Sequence, residues 1–298
     1  GWVQLSYVVT ESGEVIDPVV EESSGPRAFE RAALKTVQRW SYEPATWDGK
    51  PVQQCQTKVM ISFAIEGSEA TVSRRFYNRY YKIEKAIEKK DIEKAGKLLD
   101  NTFKSYDMTL SELTSLWALR AQHAALTGDD EMQLKAIRKA TASNGRWINQ
   151  ELYPQLLYVR TVLELQNSNL PEALDTFDKL VSLDSDMPKL EDLRTYIDRV
   201  RNIIDSESII AVSGRIDAAD DCDDCSNNWQ YDPLRRKVRI AEVDGELGNI
   251  ELRCAWRRIV DKARPGKSWD LPEDWGNCSI IVFGEPGSSF TLYEEPSA

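Results

Sequence analysis

The first 22 residues, GWVQLSYVVTESGEVIDPVVEE (Gly1–Glu22), decide the fold of the N-terminal part of the chain. Apolar residues there occupy alternate positions, which is typical of a strand with one buried face: Val3, Leu5, Tyr7 and Val9. Gly13 supplies a turn, and residues 15–20 return to strand character. The stretch therefore predicts a β-hairpin at the start of the chain.

A helix and a further strand are predicted after this hairpin. Ser23 and Ser24 are candidate N-cap residues before Pro26, and apolar residues then recur at helical spacing: Phe29, Ala32, Ala33, Val37 and Trp40. Pro44 ends the helix, and a turn at residues 48–49 follows. Alternation then predicts a last strand through Val59, Ile61, Phe63 and Ile65.

In this order, the features resemble the C-terminal domain of TonB energy transducers. The residues that carry the resemblance are Gly1, Val3, Leu5, Val8, Val9, Gly13, Val15, Val20, Glu22, Ser23, Ser24, Phe29, Ala32, Ala33, Val37, Trp40, Tyr42, Pro44, Gly49, Lys50, Pro51, Val52, Val59, Ile61 and Phe63. The resemblance covers residues 1–66 of the 298, and the family's preceding Tyr-Pro segment and helix are missing from it. It implies a small TonB-like α/β domain.

Members of that family bind an extended receptor peptide by adding it to an exposed sheet edge through main-chain hydrogen bonds. By position, the resemblance assigns this edge to residues 54–65. The candidate partner-binding residues are Gln54, Gln56, Lys58, Val59, Met60, Ile61, Ser62 and Phe63. We expect the polar members of this set to tune specificity, although each is equally compatible with a merely solvated strand position.

The resemblance implies a periplasmic energy-transducer component whose partner is the TonB box of a TonB-dependent outer-membrane receptor. A membrane helix and a Pro-rich spacer are expected before Gly1, anchoring the protein to the inner membrane beside proton-channel subunits. The alternative is a cell-envelope scaffold with no role in energy transfer.

The middle of the chain predicts a helical repeat. Turns are expected at residues 89–91, 127–130 and 167–169, so the period is about 40 residues. The unit from Leu156 to Leu183 resembles a tetratricopeptide hairpin, with apolar positions at Leu157, Val162, Leu165, Ala173, Phe177 and Val181. Gln133 departs from this pattern, because a small residue is expected there. A TPR-like solenoid would offer a surface for a further protein partner.

The last part of the chain predicts an all-β, sandwich-like domain. Pairs of apolar residues alternate between turn clusters: Val238 and Ile240, Ile250 and Leu252, Ile280 and Val282, Phe290 and Leu292. We therefore predict a multidomain α+β chain with boundaries at 1–67, 68–208 and 209–298.

Four of the five cysteines lie in this last part and are disulfide candidates: Cys222, Cys225, Cys254 and Cys278. A four-cysteine zinc site is the alternative, but only one CxxC pair is present. Disulfides would place the chain in an oxidising compartment such as the periplasm. Cys55 shares its parity with Val59 and Ile61, which predicts a buried, unpaired thiol.

The sequence predicts no enzyme, no cofactor, no metal and no nucleic acid partner. A net charge of −11 opposes phosphate binding, and the single histidine, His123, has an apolar setting typical of a structural residue. The aspartates at 217–224 could hold a calcium ion, although a solvated acidic turn is simpler. The tryptophans of the last part suggest a carbohydrate-binding alternative to core packing: Trp229, Trp256, Trp269 and Trp275.

Overall fold

The computed structural model describes residues 1–64, 72–183, 187, 189–216 and 227–296. The chain forms two compact units. One comprises Ser62–Ile197 together with Gly1, and the other joins Trp2–Ile61 to Asp198–Ala298. No described helix combines the length and apolar character that crossing a membrane requires.

The first unit is built from helices, and the predicted turns separate them. The helices are α2 (Arg74–Glu88), α3 (Ile92–Ser105), α4 (Leu110–Thr127), α5 (Asp130–Ala140), α6 (Tyr153–Gln166) and α7 (Leu170–Ser182), and α8 follows at Leu190–Ile204. Helices α2 and α3, α4 and α5, and α6 and α7 form successive packed pairs. The structure therefore contains the predicted hairpins.

One turn geometry recurs in all three hairpins. The residue that leaves the first helix has a positive φ: 56° at Lys90, 69° at Gly128 and 57° at Ser168. The next residue donates its amide to a carbonyl five positions back, at 2.9 Å for Asp91, 3.0 Å for Asp129 and 2.9 Å for Asn169. This 6→1 bond satisfies a carbonyl at the helix end. The same local backbone hydrogen bond therefore ends the first helix of each hairpin.

Small residues line the helix contacts as predicted for the first and last hairpins. Ala95 and Ala173 are fully buried, and Phe177 is 1% exposed. Gln133, four residues after the turn of the middle hairpin, is only half-buried, and Ala136 is the buried small residue there. The assignment of these hairpins to a TPR solenoid remains a prediction.

His123 has the structural role that its setting predicts. Its Nε2 lies 3.0 Å from the carbonyl oxygen of Ile92 in a neighbouring helix. A Cβ on Gly96 would come within 3.2 Å of the same nitrogen, so the glycine makes room for the ring. The histidine joins two helices.

The N-terminal segment, residues 1–64, folds as β1 (Trp2–Val9), β2 (Val15–Ser23), α1 (Arg27–Val37), β3 (Ala45–Trp47), β4 (Lys50–Val52) and β5 (Gln54–Ser62). The predicted last strand ends at Ser62, and Ile65 lies outside the described residues. The predicted serine cap is wrong, because Pro26 precedes α1 without a side-chain cap. Ser24 Oγ instead accepts the amide of Trp2 at 2.9 Å, which ties the end of β2 to β1.

The C-terminal part forms two four-stranded antiparallel sheets, and we call it the β-module. Its strands are β6 (Ile210–Arg215), β7 (Asn228–Tyr231), β8 (Lys237–Asp244), β9 (Leu247–Cys254), β10 (Arg258–Lys262), β11 (Ser268–Asp270), β12 (Cys278–Gly284) and β13 (Ser289–Glu295). The sheet orders are β10-β9-β12-β7 and β11-β8-β13-β6. The eight predicted core residues of this part are at most 3% exposed, which agrees with the predicted sandwich.

Arg235 fixes the end of α8 to the β-module. Its guanidinium donates to carbonyl oxygens of the last helical residues, at 2.7 Å for Ile203 and 2.9 Å for Ile204, and of the residues that follow, at 2.7 Å for Ser206 and 2.5 Å for Ser208. A cation at a helix C-terminus satisfies the unpaired carbonyls and complements the helix dipole. Arg235 of the β-module therefore caps the C-terminus of α8.

The three predicted domain boundaries remain predictions. The N-terminal segment and the β-module, which are far apart in sequence, belong to one compact unit.

Candidate partner-binding strand

Strand β5 is an outer strand of the N-terminal sheet, whose order is β2-β1-β5. The central strand β1 is buried along almost its whole length, and Trp2, Val3, Leu5 and Val8 are fully buried. An outer strand pairs on one side only within its own sheet, so its other side presents backbone donors and acceptors. This is the geometry that β-strand addition needs.

A glycine and a tyrosine contact hold the hairpin beside α1. The amide of Tyr42 donates to the carbonyl of Gly13 at 2.8 Å, and a Cβ on Gly13 would lie 2.0 Å from the Tyr42 carbonyl oxygen. Tyr7 and Tyr42 share a hydroxyl hydrogen bond of 2.5 Å. Burial, followed by this bond, raises the pKa of Tyr7 well above its ordinary range. Tyr42 keeps 36% of its surface exposed.

The β-module contacts the beginning of β5. The amide of Cys55 donates to the carbonyl oxygen of Ala255 at 3.2 Å. Gln56 Nε2 donates to the carbonyl oxygen of Arg253 at 2.8 Å and to Ser279 Oγ at 3.0 Å. Gln56 is therefore bound within the protein rather than freely solvated.

Ion pairs extend this contact beyond Gln56. Lys58 Nζ lies 2.9 Å from a carboxylate oxygen of Glu21 on β2 and 4.0 Å from one of Asp232 in the β-module. Arg258 of β10 reaches Asp17 at 2.7 Å. The charges link the two sheets while leaving Lys58 exposed.

A buried pair lies behind this contact on β9. The side chain of Arg253 is 1% exposed and that of Glu251 is 10% exposed, and the two approach to 2.8 Å. Glu251 also accepts from Arg258 at 2.9 Å. Ile250 and Leu252, on the alternate positions, are fully buried in the sandwich. Both faces of β9 are therefore covered.

The remaining candidate residues lie consecutively along the rest of β5. Gln54 and Ser62 are exposed. Val59, Met60, Ile61 and Phe63 are half-buried, with Phe63 just beyond the end of the strand. Whether a partner uses these residues stays a prediction.

Residues 1–65 match the family model of the Gram-negative bacterial TonB protein C-terminal. The match ends just after β5, so it includes the whole N-terminal sheet and α1. No curated protein and no solved structure matches the chain. The TonB-like N-terminal segment is thus the part with a recognised family.

Two of the four candidate cysteines form a disulfide. Cys254 and Cys278, directly opposite each other on β9 and β12, form a disulfide with 3.9 Å between their Cα atoms. Cys222 and Cys225 lie outside the described residues, as do the aspartates at 217–224. Closing a loop between residues 24 apart stabilises a fold by about 3 kcal/mol.

Cys55 is the buried, unpaired thiol that the sequence predicts. Burial raises the pKa of this thiol to about 11, although Arg258 and Arg253 oppose the shift. A thiol with so high a pKa is a poor nucleophile at neutral pH. Within the described residues, no group of three potential metal ligands is found.

Sequence reasoning missed the residues of the β-module that contact β5. Arg253 and Ser279 occupy the alternate positions of their strands, beside the apolar residues that face the sandwich. Polar residues in that pattern are typical of a solvated face. No local signal distinguishes a solvated polar face from one that covers a second sheet.

Proposed function

We propose that this chain is a periplasmic TonB-like component that binds the TonB box of an outer-membrane receptor by adding it as a strand to β5. The observation that carries the proposal is the match of residues 1–65 to the TonB C-terminal family, together with the outer position of β5. We also propose that the protein acts by binding and force transmission, without catalysing a reaction.

Strand addition uses backbone groups, so it tolerates varied side chains in the partner. The amide of Cys55 is already engaged by Ala255, which argues that an incoming segment pairs further along β5. We therefore assign the pairing region to Thr57–Ser62. Because the side chain of Gln56 is hydrogen-bonded to the β-module, we propose that Gln56 marks the boundary of the pairing region and does not contribute to specificity.

The proposed transducing role also requires a membrane anchor and further partners. The chain would be anchored in the inner membrane by a preceding helix and would work with proton-channel subunits. The helical hairpins would bind a further protein partner.

Calorimetry with a synthetic peptide that copies the TonB box of an outer-membrane receptor tests the binding step. We expect binding to the full chain, and loss of binding when the central residue of the peptide is replaced by proline, which cannot donate to a ladder. The matched control is the same peptide with alanine at that position, which should still bind. The absence of binding by any of a panel of such peptides would remove the proposed role.

A second candidate function has one observation in its favour. Trp47 and Trp256, 64% and 39% exposed, stack with ring centroids 5.5 Å apart. Exposed indoles can bind sugar rings. An envelope scaffold that binds carbohydrate would use this pair, in which Trp47 belongs to the N-terminal segment and Trp256 to the β-module, whereas Trp269 is only 6% exposed.

Tryptophan fluorescence with a panel of soluble glycans tests this alternative. A spectral change that disappears in Trp256→Ala but persists in Trp275→Ala would support it. Unchanged spectra across the panel would dismiss it.

A further inference from the structure

The helical unit, which the proposed function assigns to a further protein partner, contains a basic pocket that could define the chemistry of that partner. A cavity of about 420 Å³ opens between α2 and α3. Arg75, Arg79 and Lys82 line it from α2, while α3 contributes the neutral residues Asn101 and Thr102.

Helix geometry places the three cations in a row. Positions i, i+4 and i+7 lie on one face of a helix, so Arg75, Arg79 and Lys82 share the face that lines the pocket. Their Cα atoms extend over about 10 Å along the helix axis. This is longer than a single small anion, and it is long enough for two acidic side chains on the same edge of an extended peptide, which are about 7 Å apart.

Three carboxylates of α2 and α3 pair with cations that do not line the pocket. Glu88 pairs with Lys85 at 2.6 Å, Glu93 pairs with Lys97 at 2.5 Å, and Asp100 pairs with Arg120. In the part of the chain that the structure describes, no carboxylate lies within ion-pair distance of the pocket cations, and no acidic residue lines the pocket. The pocket is therefore locally basic, although the whole chain has a net charge of −11.

An aromatic ring holds two of these cations in place. The guanidinium carbons of Arg75 and Arg79 each lie 5.3 Å from the ring centroid of Tyr106. Tyr106 is itself fixed by a 2.6 Å hydrogen bond between its hydroxyl and Ser73 Oγ. A cation–π contact orients a guanidinium without using its N–H donors, which stay available to a ligand.

We propose that this pocket binds an extended acidic segment of a partner protein. Two carboxylates of the segment would pair with the row of cations, and Asn78 and Asn101 at the pocket wall would bind its backbone. Bidentate pairing with the guanidinium groups would favour carboxylates over neutral side chains. This site lies in the helical unit and does not depend on strand β5.

Fluorescence anisotropy on the full chain provides the test. The probe is a labelled peptide of five Thr-Glu repeats, and its neutral counterpart has five Thr-Gln repeats. The test variant is Arg75→Gln with Lys82→Gln, and the matched control is Lys89→Gln with Lys104→Gln, which removes two other exposed cations. All four side chains are exposed, so both variants should fold, which circular dichroism would verify.

We expect the Thr-Glu peptide to bind the wild type and the control equally, and the test variant about tenfold more weakly, since each exposed ion pair contributes little. The Thr-Gln peptide should not bind. Equal binding to the test variant, binding of the neutral peptide, or no binding to the wild type would overturn the proposal. So would a response to inorganic phosphate or phosphatidylglycerol vesicles that is lost in the test variant while the peptide fails to bind. None of these outcomes bears on peptide binding at β5.

Discussion

The helical hairpins and the junction between the TonB-like N-terminal segment and the β-module are held by different chemistry. In the hairpins, apolar residues such as Ile83 and Phe177 form the core, and a buried carboxylate among them, Glu164, pairs with two arginines. At the junction, the contacts include the hydrogen bonds of Gln56, the ion pair between Arg258 and Asp17, and the stacked rings of Trp47 and Trp256. Apolar contacts can be predicted from the periodic spacing of apolar residues in the sequence. Polar contacts cannot be predicted until the structures of both surfaces are known.

The largest effect should come from removing an apolar contact. Phe177→Ala should lower the free energy of unfolding of the helical unit by about 4 kcal/mol, because it leaves a cavity in a close-packed core. Urea unfolding followed by circular dichroism measures this. Leu183→Ala is the matched control, since Leu183 is 41% exposed and its loss should cost less than about 0.5 kcal/mol. Equal effects would mean that Phe177 does not pack as the structure shows.

The buried pair on β9 gives the next largest effect. Glu251→Gln should lower the free energy of unfolding of its unit by about 3 kcal/mol, because Arg253 would keep a buried charge without its counterion. Tryptophan fluorescence during urea unfolding reports the change. Asp244→Asn, an exposed carboxylate in the same module, should have little effect. A loss below about 1 kcal/mol for Glu251→Gln would show that the pair is hydrated.

The junction hydrogen bonds should contribute less. Gln56→Ala removes two of them and should cost about 1 to 2 kcal/mol, partly because the Arg253 carbonyl loses a donor. Gln54→Ala, at an exposed position of the same strand, is the control. If the two variants unfold at the same urea concentration, the β-module does not depend on Gln56.

The smallest effect is a dependence on acid pH. Hydrogen bonds from Lys267, the Lys262 amide and Trp269 lower the pKa of Asp261 from 3.8 to about 2. Because the folded pKa is the lower one, this stabilisation is present above pH 3.8 and is lost as the pH falls towards 2. Asp261→Asn should therefore flatten the stability profile between those pH values, as measured by thermal unfolding. An unchanged profile would mean that other carboxylates control it.

Much of the fold could be predicted from local patterns. The helix turns at Lys90, Gly128 and Ser168 lie where the sequence predicts turns, and the core positions of the sandwich alternate as expected. The N-cap prediction at Ser23 and Ser24 is wrong because β2 continues to Ser23 and Ser24 binds β1. A serine hydroxyl can cap a helix or bind a neighbouring strand, and which of the two occurs depends on the segments that lie next to it.

The sequence predicts that the candidate site is a strand, but it does not predict which residues contact that strand. Alternation identifies β5, and the family resemblance assigns it an interaction. Nothing near Gln56 in sequence indicates that Arg253 and Ser279, about 200 residues away, bind its side chain. The predicted specificity residue is therefore part of an internal contact.

The sequence by itself determined the TonB-like order of strands and helix, the helical hairpins and the alternating core of the β-module, because each depends on neighbours within a few residues. Only the tertiary structure decided that the N-terminal segment and the β-module form one unit, that Cys254 pairs with Cys278, and that Asn101 and Thr102 of α3 line one pocket with the cations of α2. These features depend on polar groups brought together from distant or differently oriented elements. Polar pairing has no periodicity, so a one-dimensional pattern cannot reveal it.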